Sequence, residues 1–392
     1  MKGWPLVALS EVFEIARGGS PRPIDDFITD DPAGINWIMI GDASEGSKYI
    51  TGTKKRIRRE GAQRSRCVKP GDFLLTNSMS FGKPYIMRTS GCIHDGWLVL
   101  SPRRGDVDAD FFYHLLGSKE VYSEFERRAG GATVKNLNID LVRGVKIPLP
   151  PLAEQRRIAG ILDKADALRA KRHASLAQLD TLAQSIFLDM FGDPATNPKG
   201  WPRLRLDEVF DIARGGSPRP IEDYLTDDAD GINWIMIGDA SERTKYITRT
   251  KKRIRPEGAH KSRLVKSGDF LLTNSMSFGR PYILRTSGCI HDGWLVLSPR
   301  HADFDPDYFY SLLGSAALFT EFSRRAPGAT VKNLNIDLVR SVAVPVPPVE
   351  EQRQFAENVA CIERSGESLK QSLTGLDTLF AALQHRAFRG EL

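Results

Sequence analysis

The chain has 392 residues, of which 41% are hydrophobic and 27% are charged, so we expect a globular protein with about two or three domains. No apolar run approaches the roughly 18 residues that a membrane helix needs, and the first residues do not resemble a signal peptide. The net charge of +6 favours a polyanionic partner, and the four cysteines lack the spacing of a disulfide framework, which fits the cytoplasm.

An internal repeat organises the whole sequence. A shift of 197 residues aligns the first half with the second without a gap, and 109 of the 143 positions in 9–151 are identical to their partners in 206–348. In 152–195 only 11 of 44 positions match their partners. Two nearly identical domains, each followed by a segment of different sequence, predict a partner with two equivalent halves, and nucleic acid is the commonest such partner.

Each repeat begins with a predicted mixed α/β globule, at residues 1–150 and 201–347. In the first copy, short apolar stretches closed by Gly, Pro, Asn or Asp predict strands at 35–42, 71–77, 83–90 and 96–102. Helical spacing of apolar residues predicts a helix at 108–129 that Gly117 interrupts, and a short helix at 137–142. The second copy repeats these patterns, so the sequence predicts an α+β chain with two such globules in tandem.

A predicted long helix follows each globule, at residues 151–190 and 348–392, and residues 191–200 form the linker between the repeats. Apolar residues recur every three or four positions in both helices, and no proline interrupts either one. At about 1.5 Å per residue, nearly 40 residues form a rod of roughly 55–60 Å. We expect the two helices to bury their apolar stripes in an antiparallel coiled coil, which acts as a spacer and relates the globules by a pseudo-twofold axis.

The sequence carries none of the common catalytic motifs. It has no phosphate-binding glycine loop, no H-E-x-x-H and no paired C-x-x-C. The one cluster of chemically versatile side chains is Cys92-Ile93-His94-Asp95, which returns at 289–292. A metal site needs three or four ligands, so we interpret the cluster as a strand followed by a turn, and we expect neither a metal nor a catalytic residue in this chain.

A basic segment in each repeat indicates a binding function. Residues 54–66 carry seven cations against one carboxylate, and residues 251–263 carry six against one. Such segments can neutralise DNA phosphates, although a run of charge is also typical of a solvated loop. The predicted phosphate contacts are Lys54, Lys55, Arg56 and Arg58 in the first repeat and Lys251, Lys252, Arg253 and Arg255 in the second.

Three loops in each repeat have the composition of base-reading elements. They are RGGSPRP (17–23 and 214–220), TNSMSFG (76–82 and 273–279) and ATVKNLN (132–138 and 329–335). Arginine can pair with guanine edges and asparagine with adenine, whereas the alternative is that Gly, Ser, Asn and Pro simply shape turns. The predicted DNA-binding residues are Arg17, Ser20, Arg22, Asn77, Ser78, Ser80, Lys135, Asn136 and Asn138, with their repeat partners Arg214, Ser217, Arg219, Asn274, Ser275, Ser277, Lys332, Asn333 and Asn335.

A distinctive junction, PLPPLAEQ followed by a long helix, spans 148–172 and returns in weaker form before Val359. With the GDFLLTNSMSFGKP element at 71–84, the terminal AFRGEL and the two-repeat plan, it makes the chain resemble the specificity subunits of type I restriction-modification enzymes. The resemblance implies two target-recognition domains, each reading half of a bipartite site in double-stranded DNA, and two helices that form the spacer. It also implies docking of two modification subunits, joined by restriction subunits, which would supply S-adenosylmethionine, ATP, Mg and all the catalysis.

The near identity of the two globules departs from this family pattern, in which the two recognition domains usually differ. Identical domains related by a twofold axis predict a palindromic, interrupted target. An alternative from another class is a stand-alone tandem-repeat DNA-binding regulator or antirestriction protein, which would bind tightly without methyltransferase partners.

Overall fold

The computed structural model describes residues 4–43, 46–77, 81–128, 137–241, 244–274, 278–301, 304–325 and 334–392, except for the side chains at positions 180 and 325. The chain divides into two compact units. Unit 1 comprises Met1–His173 and Lys370–Leu392, and unit 2 comprises Ala174–Leu369. Each unit therefore holds one copy of the globule together with a segment from each of the two long helices.

The first repeat contains twelve described strands and six described α-helices. In chain order these are β1 (Leu6–Ala8), α1 (Leu9–Val12), β2 (Phe13–Arg17), β3 (Ile28–Thr29), β4 (Ile35–Ile38), β5 (Tyr49–Ile50), β6 (Lys55–Ile57), α2 (Arg59–Ala62), β7 (Arg66–Val68), β8 (Phe73–Thr76), β9 (Pro84–Met87), β10 (Gly91–Ile93), β11 (Trp97–Pro102), α3 (Ala109–Leu116), α4 (Lys119–Arg128), α5 (Ile139–Arg143), β12 (Lys146–Pro148) and α6 (Leu152–Phe191).

The second repeat has the same order of elements. They are β13 (Arg203–Arg205), α7 (Leu206–Val209), β14 (Phe210–Arg214), β15 (Leu225–Thr226), β16 (Ile232–Ile235), β17 (Tyr246–Ile247), β18 (Lys252–Ile254), α8 (Pro256–Ala259), β19 (Arg263–Val265), β20 (Phe270–Thr273), β21 (Pro281–Leu284), β22 (Gly288–Ile290), β23 (Trp294–Pro299), α9 (Pro306–Leu313), α10 (Ala316–Arg325), α11 (Ile336–Arg340), β24 (Ala343–Pro345) and α12 (Val349–Phe388).

Each globule is built on two five-stranded sheets. In unit 1 their strand orders are β2-β11-β8-β9-β5 and β3-β6-β4-β10-β7, and a two-stranded pair joins β1 to β12. Unit 2 repeats all three arrangements. The predicted strands at 71–77, 83–90 and 96–102 are present as β8, β9 and β11, whereas the strand predicted at 35–42 ends at Ile38. It ends there because the backbone N–H of Met39 donates to the Asp42 carboxylate at 2.8 Å, which closes a turn.

The first sheet of unit 1 is covered on both faces. Along β8, Phe73 and Leu75 belong to a buried cluster that includes the helices, whereas Leu74 belongs to another cluster with Ile38 and Ile93 of the second sheet. Successive side chains in a strand point to opposite faces, so a strand buried on both sides must be apolar at every position. This accounts for the unbroken apolar runs in β8 and β11, because a strand with one solvent-exposed face would alternate apolar and polar residues.

The helices follow the sequence expectations closely. The predicted helix at 108–129 is divided into α3 and α4 at Gly117 and Ser118, and the short helix predicted at 137–142 is α5. Both predicted long helices are present, each with 40 residues. None of the helices in the described ranges combines the length and apolarity needed to cross a bilayer.

A buried glutamine explains the junction between globule and long helix. The Gln155 side chain accepts the backbone N–H of Asp108 and donates to the carbonyls of Asp106 and Pro150, each at 2.9 Å. Gln352 makes the corresponding contacts in unit 2 with Asp305, at 2.9 Å, and with a proline carbonyl, at 2.8 Å. The first turn of each long helix is thereby fixed to the globule that precedes it.

The two long helices contact each other within each unit. In unit 1 the Arg169 guanidinium donates to Asp377 of α12 at 2.7 Å, and Arg157 donates at 2.9 Å to the carbonyl of Leu392, four residues beyond the end of α12. In unit 2 the ring of Phe187 lies edge-on to Phe355, with 5.6 Å between centroids. As the residue number in α6 rises from 157 to 169, that of the contacting residue falls from 392 to 377, so the two chain segments of unit 1 run antiparallel.

Candidate nucleic-acid interface

The recognition loop of unit 1, defined as residues 17–23, continues from the end of β2. It lies against the turn between β10 and β11, because β2 and β11 pair antiparallel with Arg17 opposite Leu98. The backbone N–H groups of Gly18 and Gly19 donate to the carbonyls of Trp97 and Ile93 at 2.9 and 3.1 Å. A Cβ on Gly18 would lie 2.0 Å from a backbone oxygen, so only glycine permits this approach.

Asp95 holds three of the predicted base-reading residues together. The Ser20 hydroxyl donates to the Asp95 carboxylate at 2.9 Å, and Arg17 Nε donates to the Asp95 carbonyl at 3.0 Å. Arg22 Nη2 lies 3.6 Å from the other carboxylate oxygen, with 84% of its side chain exposed. Burial would raise the pKa of Asp95, but hydrogen bonds from Ser20 and His94 outweigh it and hold that pKa below its usual value.

Unit 2 builds the same cluster around Asp292. Ser217 donates to its carboxylate at 3.0 Å, Arg219 Nη2 donates to it at 3.2 Å, and Arg214 Nε donates to its carbonyl at 3.2 Å. The pKa of Asp292 is again low because hydrogen bonds, first from Ser217 and then from His291, outweigh its burial. Equivalent arginines in the two units therefore lie beside equivalent aspartates.

Asn77 and its partner Asn274 are placed differently from the arginines. Their side chains are buried, with 2% and 1% relative exposure. The Asn77 amide donates to the Asp95 carbonyl at 3.3 Å, and that of Asn274 donates to the Asp292 carbonyl at 3.4 Å. This geometry favours the turn-shaping alternative for both residues, since a base contact would require them to leave the core.

Asn138 and Asn335 begin short helices. Each side-chain oxygen accepts a backbone N–H three residues later, from Leu141 or Leu338, at 2.8 Å. These are N-cap hydrogen bonds, which satisfy an otherwise unpaired donor at the start of α5 or α11. The predicted residues Ser78, Ser80, Lys135, Asn136, Ser275, Ser277, Lys332 and Asn333 lie outside the described residues.

The basic segments combine short regular elements with turns. In unit 1 the segment contains β6, α2 and the first residue of β7, and the Ile57 side chain within β6 is buried. Lys54, Lys55 and Arg58 are exposed, and within the described ranges no carboxylate lies within ion-pair distance of them. The guanidinium of Arg56, by contrast, donates to the carbonyl of Pro32. In unit 2, Lys251, Lys252, Arg253 and Arg255 are exposed at the matching positions.

The recognition loop and the basic segment border the same concavity in each unit. In unit 1 a cavity of about 230 Å³ is lined by residues that include Ser20, Lys55, Trp37 and His94. In unit 2 the matching cavity of about 780 Å³ includes Ser217, Lys252, Trp234 and His291, and extends along Arg219. Two sets of residues that lie about 35 positions apart in sequence thus meet at one surface.

The Cys-Ile-His-Asp cluster forms the end of a strand and the following turn, as predicted. The backbone N–H of Ile40 lies 3.2 Å from His94 Nε2, and that of Gly96 lies 2.8 Å from Nδ1. Burial lowers the pKa of His94, although Asp95 opposes this effect. Among the described residues, no group of three or more His, Cys, Asp or Glu side chains is arranged to hold a metal ion.

Comparison with known proteins gives a consistent result. A family model for the type I restriction modification DNA specificity domain matches residues 1–179 and 198–374. The type I restriction enzyme EcoBI specificity subunit of Escherichia coli is 25% identical over 319 residues, covering 72% of this chain and 65% of the relative. The MjaIX specificity subunit of Methanocaldococcus jannaschii is 25% identical over 243 residues, covering 57% of this chain and 55% of the relative. The chain thus spans less than two thirds of the length of these two relatives.

A solved structure shares the fold of the whole chain. It comes from work on complex assembly and conformational transition of the type I R-M system, and it aligns with a TM-score of 0.67 at 21% identity. The alignment covers 100% of this chain and 99% of that chain.

Proposed function

Because the chain belongs to the family of type I restriction-modification specificity subunits, we propose that it is the DNA-reading subunit of such a complex. It binds double-stranded DNA and holds two modification subunits, which restriction subunits join. The observation that carries the proposal is the shared concavity, where an arginine-bearing loop meets a basic strand in both units. Unpaired cations contact phosphates, and arginine reads base edges.

Each unit reads one half of a bipartite target. The exposed arginines of the recognition loop, Arg17 and Arg22 in unit 1 with Arg214 and Arg219 in unit 2, are the base-reading candidates. Lys54, Lys55 and Arg58, with their partners in unit 2, position the domain through phosphate contacts. This division follows the general rule that phosphate contacts fix the register whereas base contacts give specificity.

The two half-sites are inverted copies of each other. We infer from the gapless sequence repeat that a coiled coil of α6 and α12 relates the two globules by a pseudo-twofold axis. Within unit 1, Arg169 of α6 donates to Asp377 of α12. The recognition loops are identical in sequence, and the carboxylate that holds each loop is the same in both units. Identical readers related by a twofold axis require a palindromic, interrupted site. The long helices set the gap between the half-sites.

Catalysis belongs to the partner subunits, which supply S-adenosylmethionine, ATP and Mg. Methyl transfer to DNA should therefore need both this chain and a modification subunit. The test is a methylation assay on genomic DNA with the chain alone, the modification subunit alone and the two together. Transfer only in the third reaction supports the proposal. Transfer by the chain alone contradicts it, and tight sequence-specific binding that a modification subunit does not affect would favour the stand-alone regulator.

A further inference from the structure

Two cysteines of unit 1 face each other across neighbouring strands. Strands β7 and β10 are antiparallel, with Cys67 directly opposite Cys92 and with Arg66 opposite Ile93. The two Sγ atoms lie 3.2 Å apart, as free thiols. Directly opposed residues of an antiparallel pair have Cα atoms about 4.5 or 5.5 Å apart, and both values fall within the range of about 4.4–6.8 Å that disulfides span. A bond could therefore form with a movement of the sulfur atoms of about 1 Å.

Unit 2 has no such pair, although its sheet is the same. Strand β19 pairs with β22 in the same register, but Leu264 stands opposite Cys289. The fourth cysteine of the chain, Cys361, belongs to α12. The cysteine pair therefore distinguishes two recognition units that are otherwise nearly identical.

The two thiols differ in their access to solvent. Cys67 is exposed, whereas Cys92 is fully buried. Burial, and then the contact with the Cys67 thiol, raises the pKa of Cys92 to about 12. A small oxidant therefore meets Cys67 first, whereas Cys92 stays protonated until its partner is oxidised. The 3.2 Å between the two Sγ atoms places Cys92 to complete the reaction when it gives up its proton.

We propose that Cys67 and Cys92 are a site of reversible oxidative modification, at which a peroxide converts the two thiols into one cross-strand disulfide in unit 1 alone. Cys67 sulfur attacks a peroxide oxygen, the O–O bond breaks, and water leaves with the thiol proton, giving a sulfenic acid. Cys92 sulfur then attacks Cys67 sulfur as the S–O bond breaks, and the departing hydroxide takes the Cys92 proton and leaves as a second water. Two electrons pass from the thiols to hydrogen peroxide, and a dithiol such as dithiothreitol reverses the change.

The disulfide would join the two parts of the candidate interface in unit 1. Cys67 follows Arg66, the last cation of the basic segment. On the other strand, the Ile93 carbonyl accepts the Ser65 hydroxyl at 3.0 Å and the backbone N–H of Gly19 at 3.1 Å. The effect of oxidation on DNA binding rests on the proposed function, whereas the chemical step does not. Oxidation should alter reading by unit 1 and leave unit 2 unchanged.

The test treats the reduced full-length chain with hydrogen peroxide, blocks the remaining thiols with iodoacetamide and maps the peptides without reduction. The expected product is a linked Cys67–Cys92 peptide with two hydrogen atoms fewer than the two free peptides together. Cys289 should be recovered as its alkylated thiol, which shows that it was not oxidised. Dithiothreitol should restore the thiols of Cys67 and Cys92. Over-oxidation of Cys67 with Cys92 left as a thiol overturns the proposal, and so does equal oxidation of Cys289.

The two repeats supply matched variants. Cys67→Leu installs the residue that unit 2 carries at this position, so it should fold normally and lose the linked peptide. Leu264→Cys should create an equivalent link to Cys289 in unit 2; failure to form that link in a folded variant contradicts the geometric argument. Peroxide should change DNA affinity for the parent chain and not for Cys67→Leu. If the disulfide forms but DNA affinity does not change, the modification site is supported and its role in DNA reading is contradicted.

Discussion

Removal of three exposed cations from unit 1 tests the role of the basic segment. The triple substitution of Lys54, Lys55 and Arg58 by alanine removes cations that have no carboxylate partner among the described residues. Each phosphate contact contributes about 0.9 to the slope of log affinity against log salt concentration, so three contacts contribute about 2.7. Raising salt from about 50 to about 200 mM should therefore weaken the parent chain about 40-fold more than the triple variant.

The assay measures affinity for a random-sequence duplex by fluorescence anisotropy over this salt range. A matched control replaces Arg104, Arg127 and Arg143 by alanine, which removes the same charge from exposed residues of unit 1 that are already paired with carboxylates. The control should keep a slope close to that of the parent. An unchanged slope in the first variant, or the same loss in both, would refute the phosphate contacts of the basic segment.

Further outcomes follow from the same structure. Asp95→Asn should weaken the sequence preference at one half-site and Asp292→Asn at the other, as competition between duplexes altered in one half-site will show. The pKa of Asp95 is lowered in the folded chain, so the stability that its ionised form contributes is present above the unfolded pKa of about 3.9 and is lost as pH falls through the folded value. Lowering the pH from about 5 to about 3 should therefore reduce the free energy of unfolding, measured with urea, more for the parent chain than for Asp95→Asn. Phe112→Ala in the buried core should cost about 3–5 kcal/mol in urea unfolding, whereas Leu6→Ala, at an exposed position, should cost less than about 0.5 kcal/mol. Deleting about one heptad from facing positions of both long helices should shorten the gap between half-sites by roughly 10 Å, or about three base pairs, in a map of protected or methylated DNA; an unchanged gap in a folded variant contradicts the spacer role.

Local sequence patterns predicted much of the fold because the forces behind them are local. The long apolar periodicity of α6 and α12, the break at Gly117 and the apolar run of β8 are all visible within a short window. The strand predicted at 35–42 was too long, because the hydrogen bond between Met39 and Asp42 depends on a turn that competes with an extended strand. Very short strands such as β5, with two residues, leave too little pattern to detect.

The DNA-binding residues remain predictions. Composition selected residues 17–23 and the basic segment as candidates, but it did not identify Asp95 as the residue that holds the loop, because its partner Ser20 lies 75 positions away. The repeated Cys-Ile-His-Asp sequence marked the correct turn, but not its contacts. Asn138 could have been recognised as a helix cap, since it directly precedes the apolar run of α5. The burial of Asn77 depends on tertiary packing, so it could not be predicted from the composition of its loop.

The most direct test of the central proposal is a map of the DNA sites methylated when this chain is expressed with its modification subunit in a host that lacks other methyltransferases. The two recognition loops are identical in sequence, and equivalent aspartates, Asp95 and Asp292, hold them. They predict one interrupted palindrome, with the same bases in inverted orientation on either side of a non-specific gap. Two unrelated half-sites would contradict the equivalence of the two units. A direct repeat would contradict the twofold arrangement.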